Sequence, residues 1–259
     1  MIKWSANLGF LWTDRALPEA IKAAHQAGFD AVECHWPYEY DPQAVKDALS
    51  ETGLPMLGLN TRRGDLSKGE NGVAGLPGRE ADARAYIDEA VAYAAVIDCQ
   101  NIHVMVGITD GGEAAEQTFQ SNLAYAAEGA EKAGKTILIE PLNHRDVPSY
   151  HLQSIEAAAQ TIDALAHIAV ASERVKIMFD FYHIQILQGD LLNRFKDYLP
   201  YIGHVQIAGV PDRAEPDRGE VQYSTLLPAI YEAGYEGYVG AEYKPAADTD
   251  SGLGWLKAY

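Results

Sequence analysis

Residues 175–183 read VKIMFDFYH. A strand buried on both faces, as in a parallel sheet, shows as an unbroken apolar run. This run stops on a carboxylate, Asp180, and the stretch after it carries His183. Three other runs in the second half of the chain behave alike. TILIE (136–140) ends on Glu140, YVGAE (238–242) ends on Glu242, and IGHVQIA (202–208) carries Gln206. In a barrel of parallel strands the chemistry gathers at the C-terminal strand ends. Three carboxylates and an amide at equivalent ends would converge on one spot.

Working outward, four earlier segments have the same character: KWSAN (3–7), FDAVECH (29–35), LPMLGLN (54–60) and NIHVMV (101–106). Helix signals fill the gaps between the eight runs. Pro18 opens a helix that stops at Gly28, and Asp41-Pro42 opens another that stops near Gly53, the proline-first, glycine-last asymmetry of helices. Longer amphipathic stretches cover 79–98, 113–133 and 154–171, and shorter ones cover 185–198 and 224–233. Alternating strand and helix patterns in one uninterrupted chain predict an α/β fold. With 259 residues and eight such units, the expected architecture is a single-domain, closed (β/α)8 TIM barrel over residues 1–259. The longest irregular stretch, 62–78, is rich in glycine and follows the third strand on the catalytic face. It is either a lid over the pocket or a loose insertion.

A hydrophobic content of 47% supplies a sizeable core, and a net charge of −17 argues against nucleic acid, whose phosphates need a basic surface. The same charge argues against docking on an anionic membrane. Cys34 and Cys99 lie at or near apolar segments without a C-x-x-C pair, which fits reduced thiols. The start, MIKWSANLGFLW, does not have the pattern of a secretory signal, and no run reaches membrane-spanning length. A cytoplasmic location is expected. A homo-oligomer is compatible with the fold by analogy alone.

One buried glutamate at a strand end is commonly part of an ion pair. Four oxygen-bearing side chains at neighbouring strand ends demand more, because uncompensated buried carboxylates are costly. A divalent cation held by Glu140, Asp180, Gln206 and Glu242 would offset that cost for all together. An all-oxygen set favours Mg2+ or Mn2+ over zinc. His183 is placed to ligate the metal, hydrogen-bond a substrate oxygen or cap the next helix, with the substrate role preferred. His144, in EPLNHRD, is a candidate for touching a bound anion. Arg213, in PDRAEPDRGE, is a candidate for bidentate capture of a substrate carboxylate, or else it neutralises Glu215 or Asp217. Lys244 either orients Glu242 or touches substrate, and Arg79 is a weaker candidate. His35 and His103 read as core histidines, His204 as inward-facing, and His25, His151 and His167 as residues of helical segments. Phosphate-loop, nucleophile-elbow, H-E-x-x-H and dinucleotide signatures are absent.

Together the stretches ANLGFLWTD, GFDAVECHWPY, GLPGRE, IEPLNHRDVPSYHL, MFDFYHIQILQGDL, GHVQIAGVPDRAEPDRGEV and GAEYKP resemble the hydroxypyruvate isomerase family of the xylose isomerase-like barrels. The resemblance spans nearly the whole chain. It implies that Glu140 and Glu242 form the acid–base pair and bind a metal completed by Asp180 and Gln206. Where the wider sugar epimerases commonly place histidine on the seventh strand, this chain has Gln206. The loop around Arg213 departs from the branch's pattern in having Asp212 in place of glycine. The implied reaction interconverts hydroxypyruvate and tartronate semialdehyde, with 2-oxo-tetronates, one carbon longer, as the alternative substrates. A sugar epimerase or dehydratase, a metal-dependent endonuclease and a non-catalytic sugar-acid binder are the remaining readings.

Overall fold

The computed structural model describes residues 2–259. Eight strands alternate with helices in the chain: β1 Trp4–Asn7, β2 Ala31–Glu33, β3 Gly58–Asn60, β4 Asn101–His103, β5 Thr136–Ile139, β6 Val175–Asp180, β7 Ile202–Ile207 and β8 Val239–Ala241. All pairings are parallel, in the order β2-β1-β8-β7-β6-β5-β4-β3. The two ends of that sheet meet at a parallel bridge between Val32 and Met56. There Val32 N donates to Pro55 O at 3.0 Å and Leu57 N to Val32 O at 2.7 Å. The sheet is therefore a barrel, as the eight apolar runs predict.

The helices around it are α1 Leu17–Ala27, α2 Pro42–Thr52, α3 Glu80–Ile97, α4 Glu113–Ala133, α5 Ile155–Ala164, α6 Ala169–Arg174, α7 Phe181–Leu187, α8 Leu191–Tyr198, α9 Tyr223–Glu232 and α10 Thr249–Gly252. Their ends follow local chemistry. The Asp41 side chain accepts from Gln43 N to start α2, and left-handed Gly134 stops α4. Ala126, Ala127 and Ala130 on α4 are fully buried, and their small side chains let this long helix lie close to the barrel. Among the described residues no helix is long and apolar enough to cross a membrane.

Three expectations are corrected. The single helix expected over 185–198 is two, α7 and α8, broken where Gly189 and Asp190 both take positive φ. The helix expected over 154–171 stops at Ala164 and resumes as α6, with no proline or glycine to mark the gap. Several strands are shorter than their apolar runs; β4 ends at His103, while Val104, Met105 and Val106 stay buried beyond it. Beyond His103, Val104 N still donates to Leu138 O at 2.9 Å.

The 62–78 stretch is sewn to the exit of β4. Gly72 bridges Val106 in antiparallel sense, Gly72 N donates to Arg63 O, and Gly75 N donates to Val106 O at 2.7 Å. A Cβ on Gly72 would stand 2.4 Å from Met105 O, so only glycine permits this approach. Through these contacts the stretch forms part of the wall of the barrel mouth.

Candidate active site

Asp180 is the register partner of Gln206 across β6 and β7, so both side chains leave the barrel on one face at one height. Glu140 and Glu242 each follow a strand end by one residue. All four are buried, between 1% and 5% exposed. They sit at or beneath a cavity of about 380 Å3 whose wall includes Glu140, His183, Arg213, Glu242 and Lys244.

Among the described residues, ligand atoms of Glu140, Asp180, His183 and Glu242 lie within 4.8 Å of one another. Several of these atoms have no hydrogen-bond partner although fully buried: Glu140 Oε1, Asp180 Oδ2, His183 Nε2 and Gln206 Oε1. Buried polar atoms are normally paired. Orphaned oxygens of three neighbouring side chains are what a hard divalent cation satisfies, so the residues present fit such an ion. Its identity is a separate matter.

His183 is distinguished from the oxygen donors by its other ring nitrogen. Nδ1 accepts from the backbone N–H of Asn143 and lies 2.9 Å from Asn143 Nδ2. A nitrogen that accepts a backbone N–H carries no proton, so the neutral ring bears its proton on Nε2. Burial, then Arg213, hold His183 well below the usual imidazole range, so the ring is neutral. Its Nε2 lies 3.7 Å from Asp180 Oδ2 and 4.0 Å from Glu140 Oε1, with its proton on the carboxylate side. The helix-capping role belongs to Asp180, whose side chain accepts from Tyr182 N.

The two glutamates live in opposite surroundings. Glu242 Oε1 accepts from Asn7 Nδ2 at 3.0 Å and from His35 Nε2 at 2.9 Å, and Oε2 is paired with Arg213. Burial opposes its charge, but Arg213 and His35 outweigh burial and pull the carboxyl down to about 2. Glu140 accepts no such bonds; His103 Nδ1 stands off at 3.7 Å. Burial, then the charges of Glu242 and Asp180, push Glu140 well above the carboxylate range. Asp180 is pushed up to about 7 by burial and Glu242.

Arg213 does not neutralise Glu215 or Asp217. Its guanidinium pairs with Glu242, approaches Asp180 at 3.8 Å and Asp146 at 3.3 Å, and lies between the rings of Phe10 and Tyr182. Its backbone is left-handed, φ 55°, and Lys244 N donates to its carbonyl. Every polar partner of the Arg213 side chain is a protein carboxylate, so it offsets the charge of the cluster, while its buried Nε has no partner. Lys244 stands exposed at the cavity rim. His144 is exposed and outside the cavity wall; Asp146 and Val147 are what its loop contributes there. Arg79 pairs with Glu70 and Asp82 and tethers the 62–78 stretch.

His35 and His103, read as core histidines, both line the cavity. His35 seats against the backbone of Gly9, where a Cβ would meet its ring at 2.1 Å. Burial lowers His103 to about 4, so it is neutral. His204 is inward-facing as expected and pairs with Glu33 at 2.7 Å. Glu33 also accepts from Gln206 Nε2 at 3.3 Å, which fixes the amide with Oε1 left over. His151 corrects its reading: it sits in the loop after β5 and bonds Glu116 at 2.8 Å. Asn7, Glu33, Arg63 and Asn71 were missed; the alternation of KWSAN and FDAVECH marks inward positions without marking chemistry. Cys34 and Cys99 are buried and unpaired.

A closed parallel barrel with this acidic mouth defines the xylose isomerase-like TIM barrel class, whose family model matches residues 21–259. Within that class the chain belongs to the hydroxypyruvate isomerase family, and it is an isomerase. It is 42% identical to the 2-oxo-tetronate isomerase of Cupriavidus necator, with 100% of this chain and 99% of that protein covered. It is 38% identical to the hydroxypyruvate isomerase of Escherichia coli, each covered in full. A crystal structure from Brucella melitensis titled AP endonuclease, family 2, superposes with a TM-score of 0.94 at 38% identity, covering 100% of this chain and 99% of the other.

Proposed function

We propose that the enzyme interconverts hydroxypyruvate and tartronate semialdehyde by proton transfer between adjacent carbons through an enediolate. The observation that carries this is the pair Glu140 and Glu242, which face one cavity, Glu242 anchored by Asn7, His35 and Arg213 and Glu140 with its buried Oε1 unpartnered. Glu140, Asp180, Gln206 and Glu242 would hold Mg2+ or Mn2+, which as a Lewis acid stabilises developing charge on the substrate's oxygens. Glu242, fixed by Asn7 and His35, and Glu140, free of hydrogen bonds, handle the proton on the two carbons. Neutral His183 donates from Nε2 to a substrate oxygen, and Arg213 balances the anionic cluster beside it.

A four-carbon 2-oxo-tetronate is the second reading. It is favoured by the Cupriavidus relative. An endonuclease reading is opposed by the net charge of −17, because DNA binding needs a basic face.

The test is solvent proton exchange followed by NMR in deuterated water with Mg2+ or Mn2+, using each acid in turn. Exchange at the substrate carbon is expected, and a binder gives none. Glu140→Gln and Glu242→Gln should each slow exchange by about 10²–10⁴-fold with unchanged circular dichroism. Near-normal exchange in either variant would discard that residue's role.

A further inference from the structure

Two adjacent arginines, Arg62 and Arg63, leave β3 for the 62–78 wall, and the fold treats them differently. Arg62 forks onto Glu89, with Nε at 2.6 Å and Nη2 at 2.9 Å, and stacks on Tyr38. It is a spent cation. Arg63 lines the active-site cavity, half-buried. Its Nε donates to Asn71 Oδ1 at 2.9 Å and its guanidinium lies 4.8 Å over the Trp36 ring. Among the described residues it has no carboxylate partner. In a chain with 37 acidic residues against 20 basic ones, a half-buried arginine left without a counter-ion calls for an anion from outside.

The position is built rather than incidental. Trp36, the stacking platform, is held by Nε1 donating to Thr61 O at 3.0 Å. Arg63 itself is fastened through its carbonyl, which accepts from Gly72 N at 2.8 Å. With Nε used by Asn71 and one face on Trp36, the two Nη groups are the donors left for the cavity. Arg213, the other arginine on the cavity wall, pairs with Glu242, Asp180 and Asp146, which leaves its Nε alone without a partner, too little for a bidentate pair.

We propose that Arg63, oriented by Asn71 and Trp36, is the residue that captures the carboxylate of a 2-oxo acid substrate, a role that the chain's motifs point toward Arg213 instead. This rests on the isomerase reading of the cavity and extends it to what selects acids over neutral ketoses. A guanidinium–carboxylate pair of this kind is planar and bidentate, so lysine would replace it only in part.

The metal-loaded protein should be compared as wild type, Arg63→Ala, Arg63→Lys and Arg62→Ala. Arg62→Ala carries the same charge change, so it controls for bulk electrostatics. One readout is binding of pyruvate, a 2-oxo acid with no hydroxyl to isomerise, against hydroxyacetone, its neutral counterpart, by ligand-observed NMR. The other is the KM-against-kcat split with hydroxypyruvate. Arg63→Ala should weaken pyruvate binding and raise KM by about 10- to 100-fold, the range for a lost charge-assisted hydrogen bond, with a much smaller change in kcat. Hydroxyacetone binding should not change, Arg63→Lys should fall between, and Arg62→Ala should match wild type. Equal effects of Arg62→Ala and Arg63→Ala, an unchanged KM in Arg63→Ala, or no pyruvate binding by wild type would overturn the proposal. Wild-type protein that binds pyruvate through Arg63 yet exchanges no substrate proton would remove the isomerase reading and leave the carboxylate subsite standing.

Discussion

Glu140 is the least supported carboxylate in the cluster, and that makes it the one whose proton depends most on the cation. Burial and the neighbouring charges favour its protonated form, and they raise Asp180 to about 7. A divalent ion requires both ionised, so its binding must displace protons. Mn2+ uptake near neutral pH should therefore release protons, and its affinity should climb as pH rises. Calorimetric titration in buffers of different ionisation enthalpy measures this directly; heats independent of the buffer would contradict it. The residues of this cluster were legible in the sequence because each interrupts an apolar run, where an unpaired carboxylate has no cheap structural explanation. Asn7, Glu33, His35 and Arg63 were not. An asparagine or histidine at a strand end reads the same whether it faces core or cavity, and Arg62 and Arg63 differ only in which way a connection turns.

At the scale of elements, the catalytic face is tied together behind the site by Glu116 on α4. Its carboxylate accepts from His151 at 2.8 Å, from Gln120 at 2.7 Å and from Thr161 on α5 at 2.9 Å, while Thr109 reaches the other nitrogen of His151. Burial opposes the charge most, but these bonds together outweigh it and lower the carboxyl below its ordinary value. A depressed carboxylate contributes stability above its unfolded pKa of about 4.3, and that contribution is lost as pH falls through the lower folded value. Glu116→Gln should thus be less stable than wild type at neutral pH, with the difference shrinking in acid. Thermal melts between neutral pH and about pH 3, below that unfolded value, check it; a constant difference would contradict it. Element boundaries show where sequence reading runs out. The stops at Gly28, Gly53 and Gly134 were legible because left-handed glycines end helices. The break after Ala164 was not, because it lies in an alanine-rich segment with no proline or glycine.

At the scale of the molecule, the chain's end helps to close its beginning. Trp255, 1% exposed, meets Trp4 of β1 edge-on at 4.9 Å and donates from Nε1 to Tyr243 OH at 3.1 Å. Trp255→Ala should cost about 3–5 kcal/mol, as large-to-small changes in packed cores do, read as a lower urea midpoint at unchanged slope; a shift near zero would show that the C-terminal turn merely decorates the barrel. The seam joining Gly72 to Val106 bears on traffic through the active centre. Because the longest connection is stitched down at Gly72 and Gly75, the doorway keeps its rim on this side without help from a bound molecule. An incoming acid sheds its water against a surface already in place, so discrimination among acids begins in the throat itself.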